Sequence, residues 1–118
     1  MLVESMKEKH EADFRRYCDD AMKNLVSVCD TIVDDDMYST SPELAIMDVT
    51  EYAYSQQRAI KKEYYYHENI MGDTPLDVLY DTYAEAIRRV RSYTYTIIHR
   101  VMYRHADNVL KDALNIEF

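Results

Sequence analysis

Apolar side chains recur every three or four residues along nearly the whole chain, with charged and polar residues in the gaps. That period is the mark of amphipathic helices, and three of them are predicted. The first runs from about Leu2 to Val33 on the stripe Val3, Phe14, Tyr17, Cys18, Ala21, Leu25, Val28, Cys29 and Ile32. Asp34, Asp35 and Asp36 follow it. Carboxylates at a helix C-terminus oppose the macrodipole, so this run should stop the helix. The second helix opens with Ser41 as N-cap, Pro42 in the first turn and Glu43 beside it. Its stripe is Ala45, Ile46, Val49, Tyr52, Ala53, Ile60, Tyr64, Ile70 and Met71, ending at Gly72. The third follows Asp73-Thr74-Pro75 and runs through Leu76, Tyr80, Tyr83, Ile87, Val90, Thr94, Ile98 and Val101 to Leu114.

Short connections between long helices favour antiparallel neighbours. The expected fold is all-α: one domain over residues 1–118, three helices running up, down and up. The single glycine leaves almost no position suited to tight hairpins, phosphate loops or dinucleotide fingerprints. No apolar run is long enough to span a membrane, and the first residues lack a signal-peptide pattern.

The third helix changes character halfway. Asp77, Asp81, Glu85, Arg88 and Ser92 form a solvated face opposite the stripe, and further on the same side carries Tyr95, His99, Met102, Tyr103 and Leu110. A helix apolar on two faces must be covered on both. These five residues are therefore the expected subunit contact, and self-association would complete the bundle.

Charge is uneven. The total is −8, of which residues 1–50 carry −7. An acidic chain disfavours general nucleic-acid binding. It favours a protein partner, a nucleic-acid-binding one among the candidates, met by Asp34, Asp35 and Asp36 in place of phosphates. Twelve tyrosines add contact area, and Tyr54 and Tyr65 share the outer side of the second helix. Cys18 and Cys29 lie roughly 16 Å apart on one helix, too far for a disulfide. They read as reduced core residues, which points to an intracellular, cytoplasmic protein.

Three groups could carry chemistry. His10 and His67 fall on apolar stripes about 35 Å below the first turn, so they should face each other at one level. With Glu63 they form a plausible metal set; the alternative is a buried hydrogen-bonded network. Arg89, Tyr93, Arg100 and Arg104 make a basic-aromatic side of the third helix, either a ligand surface or partners for the acidic first helix. Finally, Arg100-Val-Met-Tyr-Arg104-His105 has the spacing Arg-x4-His and resembles the signature of the HEPN family of all-α ribonucleases, over six residues of 118. The resemblance implies His105 as general acid or base, Arg100 on a phosphate, and a cleft between two copies. It departs at Val101, where the family usually has a polar residue.

Other catalytic patterns are missing: there is no Gly-x-Ser-x-Gly and no cysteine in an electropositive setting. No cofactor is expected. The reading that follows is a non-catalytic adaptor or inhibitor, small and acidic, in the style of phage and viral accessory proteins that act against host defence.

Overall fold

The computed structural model describes residues 2–35, 41–71 and 77–114. Among them, every residue except Asp35 and Ser41 is helical. The helices are α1 (Leu2–Asp34), α2 (Pro42–Met71) and α3 (Asp77–Leu114), and each packs against the other two. The fold is the expected all-α three-helix bundle, drawn out into a rod of 70 × 18 × 16 Å. Asp36, Gly72 and Asp73-Thr74-Pro75 lie outside the described residues. None of the described helices is long and apolar enough to cross a membrane.

The termini of the first connection follow from backbone hydrogen-bond needs. The Ser41 carbonyl accepts from the amides of Leu44 and Ala45, which makes Ser41 the residue that opens α2. At the end of α1 the Asp35 amide donates to the Ile32 carbonyl, and Arg104 Nη1 donates to the Val33 carbonyl at 3.1 Å. A side chain from α3 thus satisfies a carbonyl that the helix itself leaves open. Replacing Arg104 with alanine should lower stability by about 0.5–1 kcal/mol, measurable as a reduced urea midpoint.

A single line of buried residues runs along the middle of the rod. Phe14, Cys18, Ala21, Leu25, Cys29 and Ile32 come from α1; Ala45, Val49, Ala53 and Ile60 come from α2. From α3 come Leu79, Ala86, Val90, Ile97 and Val101, with Thr94 buried among them and its hydroxyl bonded to the Val90 carbonyl. Successive steps of three, four and seven residues keep each seam facing its neighbours. The α1 stripe matches the periodicity of the sequence. In α3 the buried line is rotated: Leu79, Ala86 and Ile97 face inward, whereas Tyr80 is exposed and Tyr83, Ile87 and Ile98 are half-buried. A tyrosine suits the edge of the core, where its ring packs and its hydroxyl stays wet. Ile70 of α2 is exposed for a simpler reason: it lies beyond His67, the last buried position among the residues of that helix whose side chains are described.

Core contacts end before α3 does. No described residue after Val101 is buried, and the level of Val33 is reached at Arg104. Counting from that level, the last ten residues of α3 project about 15 Å past the end of α1.

Candidate functional site

Near the opposite end of the rod, the core is aromatic. Small side chains line α2 where it begins, at Ala45, Val49 and Ala53, and large ones line it later, at Ile60, Tyr64 and His67. Rings from all three helices therefore gather at that level. Phe14 lies against Tyr64 and His67, with centroids 6.0 and 5.9 Å apart. Tyr64 stacks on Tyr83 at 4.8 Å, and Tyr80 closes the group at 6.3 Å from both. Tyr66 meets His67 edge-on at 5.2 Å. Burial raises the phenol pKa of both Tyr64 and Tyr17; the next contributor is Glu68 for Tyr64 and Glu63 for Tyr17.

The histidines sit in this setting, facing each other as their spacing predicts. His10 Nδ1 and His67 Nδ1 are 2.6 Å apart, so one imidazole donates and the other accepts. His67 is only 3 % exposed. On its other side Nε2 lies 3.2 Å from Glu63 Oε1, skewed from the alignment of a hydrogen bond. Burial lowers the His67 pKa, against the opposing pull of the Glu63 carboxylate. Glu63 and His10 meet opposite nitrogens of one ring, so the three do not converge on a shared point. Among the described residues, no three His, Cys, Asp or Glu side chains are grouped as metal ligands. The arrangement is a polar tie between α1 and α2 inside an aromatic wall.

The basic side of α3 is partly spent on α1. Arg89 pairs with Asp19 at 3.3 Å, and Arg104 holds the Val33 carbonyl. Tyr93 is half-buried, its pKa raised by burial first and Asp30 second. Arg100 and His105 are both exposed but open onto different shallow depressions. Arg100 adjoins His99, Tyr103 and Asp107; His105 adjoins Val33, Pro42 and Ala45. One chain does not bring them together.

Neither thiol offers a nucleophile. Burial pushes Cys18 up to about 12 and Cys29 up to about 11, with Asp19 and Asp30 respectively adding to the effect. Both cysteines are free and buried. Native protein at pH 8 should react with iodoacetamide many-fold more slowly than urea-unfolded protein, as read by mass spectrometry.

The outer face of α2 carries what the sequence reading missed. Tyr54 and Tyr65 are exposed, as expected, but each ring is covered by a cation of its own helix. The Arg58 guanidinium stands 4.9 Å from the Tyr54 ring centre and Lys61 Nζ 6.0 Å from that of Tyr65. Tyr54, Arg58, Lys61 and Tyr65 therefore form one ridge with steps of four, three and four. That spacing is readable in the sequence, since residues four apart are neighbours on a helix. Asp34 and Asp35, exposed at the end of α1, are separated from this ridge. Taking His10 and His67 as one level, they stand about 17 Å along the rod from Tyr54 and about 34 Å from Tyr65. Asp34 and Asp35 and the two tyrosines are therefore separate places on the rod.

The contact residues expected on α3 are all exposed. Tyr95, Met102, Tyr103 and Leu110 are 67 %, 54 %, 80 % and 48 % accessible, and His99 is exposed with its ring 4.4 Å from that of Tyr95. Comparison of the chain with models of protein families, with curated proteins and with solved structures finds no match.

Proposed function

We propose that this protein is a non-catalytic interaction protein, a stiff helical rod that self-associates through α3 and offers the outer face of α2 to a protein partner. One observation carries the reading: Tyr54 and Tyr65 are exposed on a regular helix yet each is braced by a cation. A ring already fixed in place loses little freedom on binding, and its apolar face supplies contact area. The cations between the two rings call for carboxylates on the partner. The partner we expect is thus a protein surface or segment with acidic groups flanked by apolar ones, held by charge-assisted contacts at the centre of the ridge.

The net charge of −8 works against long-range attraction to such a partner. Association should therefore be slower than for steered pairs, and added salt should relieve the repulsion while weakening the local ion pairs. The test is affinity purification with the wild-type chain beside a Tyr54→Ala/Tyr65→Ala variant and an Arg58→Glu/Lys61→Glu variant. A partner retained by wild type should bind each variant at least tenfold more weakly, with helical content unchanged by circular dichroism. Retention that survives both variants and is lost on reversing Asp34 and Asp35 to lysine would move the contact to the acidic end and refute the α2 reading.

A further inference from the structure

The far half of α3 has a geometry that specifies what covers it. Six positions, Tyr95, His99, Met102, Ala106, Val109 and Ala113, alternate in steps of four and three on the side away from the core. All six are exposed. Such alternation is the seam of a coiled coil, whose positions face a partner helix over its whole length. Among the described residues after Arg104, His105 and Asn108 line a depression with Val33, Pro42 and Ala45 but none is buried, so the end of α3 is only lightly held by its own bundle. A helix laid along its exposed outer side would add the packing that this end lacks.

We infer that two copies of this chain pair antiparallel along α3, about a two-fold axis passing close to Arg104; this rests on the reading above that the face makes a protein contact. Three features select a second copy in that register. The first is size. Antiparallel pairing centred there sets Tyr95 against Ala113, His99 against Val109 and Met102 against Ala106 of the second copy, a large side chain opposite a smaller one in each layer. Parallel pairing would instead oppose each residue to itself, with paired tyrosines, histidines and methionines beside paired alanines.

The second feature is support. The axis falls where the bundle ends, so each projecting segment lies on the part of the other α3 that its own α1 and α2 back from behind. Those helices pack on the side of α3 opposite the seam, and the two bundles do not collide. The overlap is about 30 Å long. The third is charge. On the flank beside Tyr103, Arg100 comes level with Asp107 of the second copy, whose carboxylate already meets Lys111 of its own helix at 3.3 Å. The contact is isologous and closes on itself, leaving no open end for a filament.

Sedimentation of the intact chain at tens of micromolar should give a dimer, and Ala106→Glu should raise its dissociation constant at least tenfold. Ala106 is exposed in the single chain, so its replacement leaves the bundle core untouched; Met102→Lys is the second variant, with the same expected result. Cysteine pairing reads the direction. Under mild oxidation Tyr103→Cys, near the axis, should cross-link to itself, and Tyr95→Cys should cross-link only when mixed with Ala113→Cys. A monomer at several hundred micromolar would overturn the proposal, as would a dimer unaffected by both charged variants. Self-cross-linking of Tyr95→Cys as fast as that of Tyr103→Cys would establish parallel pairing and overturn the register. Arg58→Glu/Lys61→Glu should stay dimeric, so failure at the α2 ridge and failure at this seam are told apart.

Discussion

Replacing Phe14 with alanine should destabilise the fold by about 3–5 kcal/mol, the range for truncating a fully buried aromatic ring. The ring is inaccessible to solvent and touches two others, Tyr64 and His67, both from α2. Its loss removes transfer free energy and also leaves a void between two helices that rigid neighbouring rings cannot fill. A domain of this size has a total stability of ~5–15 kcal/mol, so the variant should be partly unfolded near physiological temperature. Urea unfolding followed by helical circular dichroism measures the effect. Met47→Ala is the matched control: Met47 is 52 % exposed, and its truncation should change stability by less than about 0.5 kcal/mol. A loss below about 1 kcal/mol for Phe14→Ala would contradict the packing described for the aromatic end.

Acidification should weaken the fold through His67. The folded state holds this imidazole neutral to a lower pH than the unfolded chain does, because burial disfavours the cation. Between the ordinary histidine value of about 6.5 and the depressed folded value, the unfolded state therefore binds more protons. Stability is fully present above about pH 6.5 and is lost as pH falls below it. The groups around His67 oppose one another: His10 and burial hold the proton off, while Glu63 and Asp13 attract it. Burial is the largest of these effects. His67→Phe keeps a ring against Phe14 and Tyr66 but cannot titrate, so its stability should change far less between pH 7 and pH 5. His99 and His105 remain in both proteins, and His10 loses its hydrogen-bond partner in the variant, so the comparison reads the contribution of the His10–His67 pair. Identical slopes of unfolding free energy against pH in the two proteins would refute the assignment.

The histidine pair also shows how far a helical sequence can be read. Its facing arrangement follows from periodicity and a chain reversal near residues 34–41, because in an antiparallel pair each position has one opposite number at its level. What the pair does was not legible. A metal set and a hydrogen-bonded tie use the same three residues, and only the packing of α1 on α2 brings Glu63 and His10 to opposite nitrogens of His67. The Tyr64–Tyr83 stack was similarly hidden, since it joins residues of two helices whose relative rotation no single stripe fixes.

The amino-acid pattern alone specifies the class of fold, the three helices and the inward line of α1. Regular apolar spacing and Ser41-Pro42 act locally and need no knowledge of neighbours. It also determined that α3 has two apolar faces and that Cys18 and Cys29 cannot be joined. Tertiary structure decided the rotation of α3, which turns Leu79, Ala86 and Ile97 inward and leaves Tyr80 at the surface. It decided that Arg89 and Arg104 are engaged by α1, and that the tyrosines of α2 stand far from the acidic end. The physical reason is the same throughout. Periodicity fixes angles around one helix axis, whereas which side chains meet depends on the rotation and stagger between axes, set by how unequal side chains fill the space between helices.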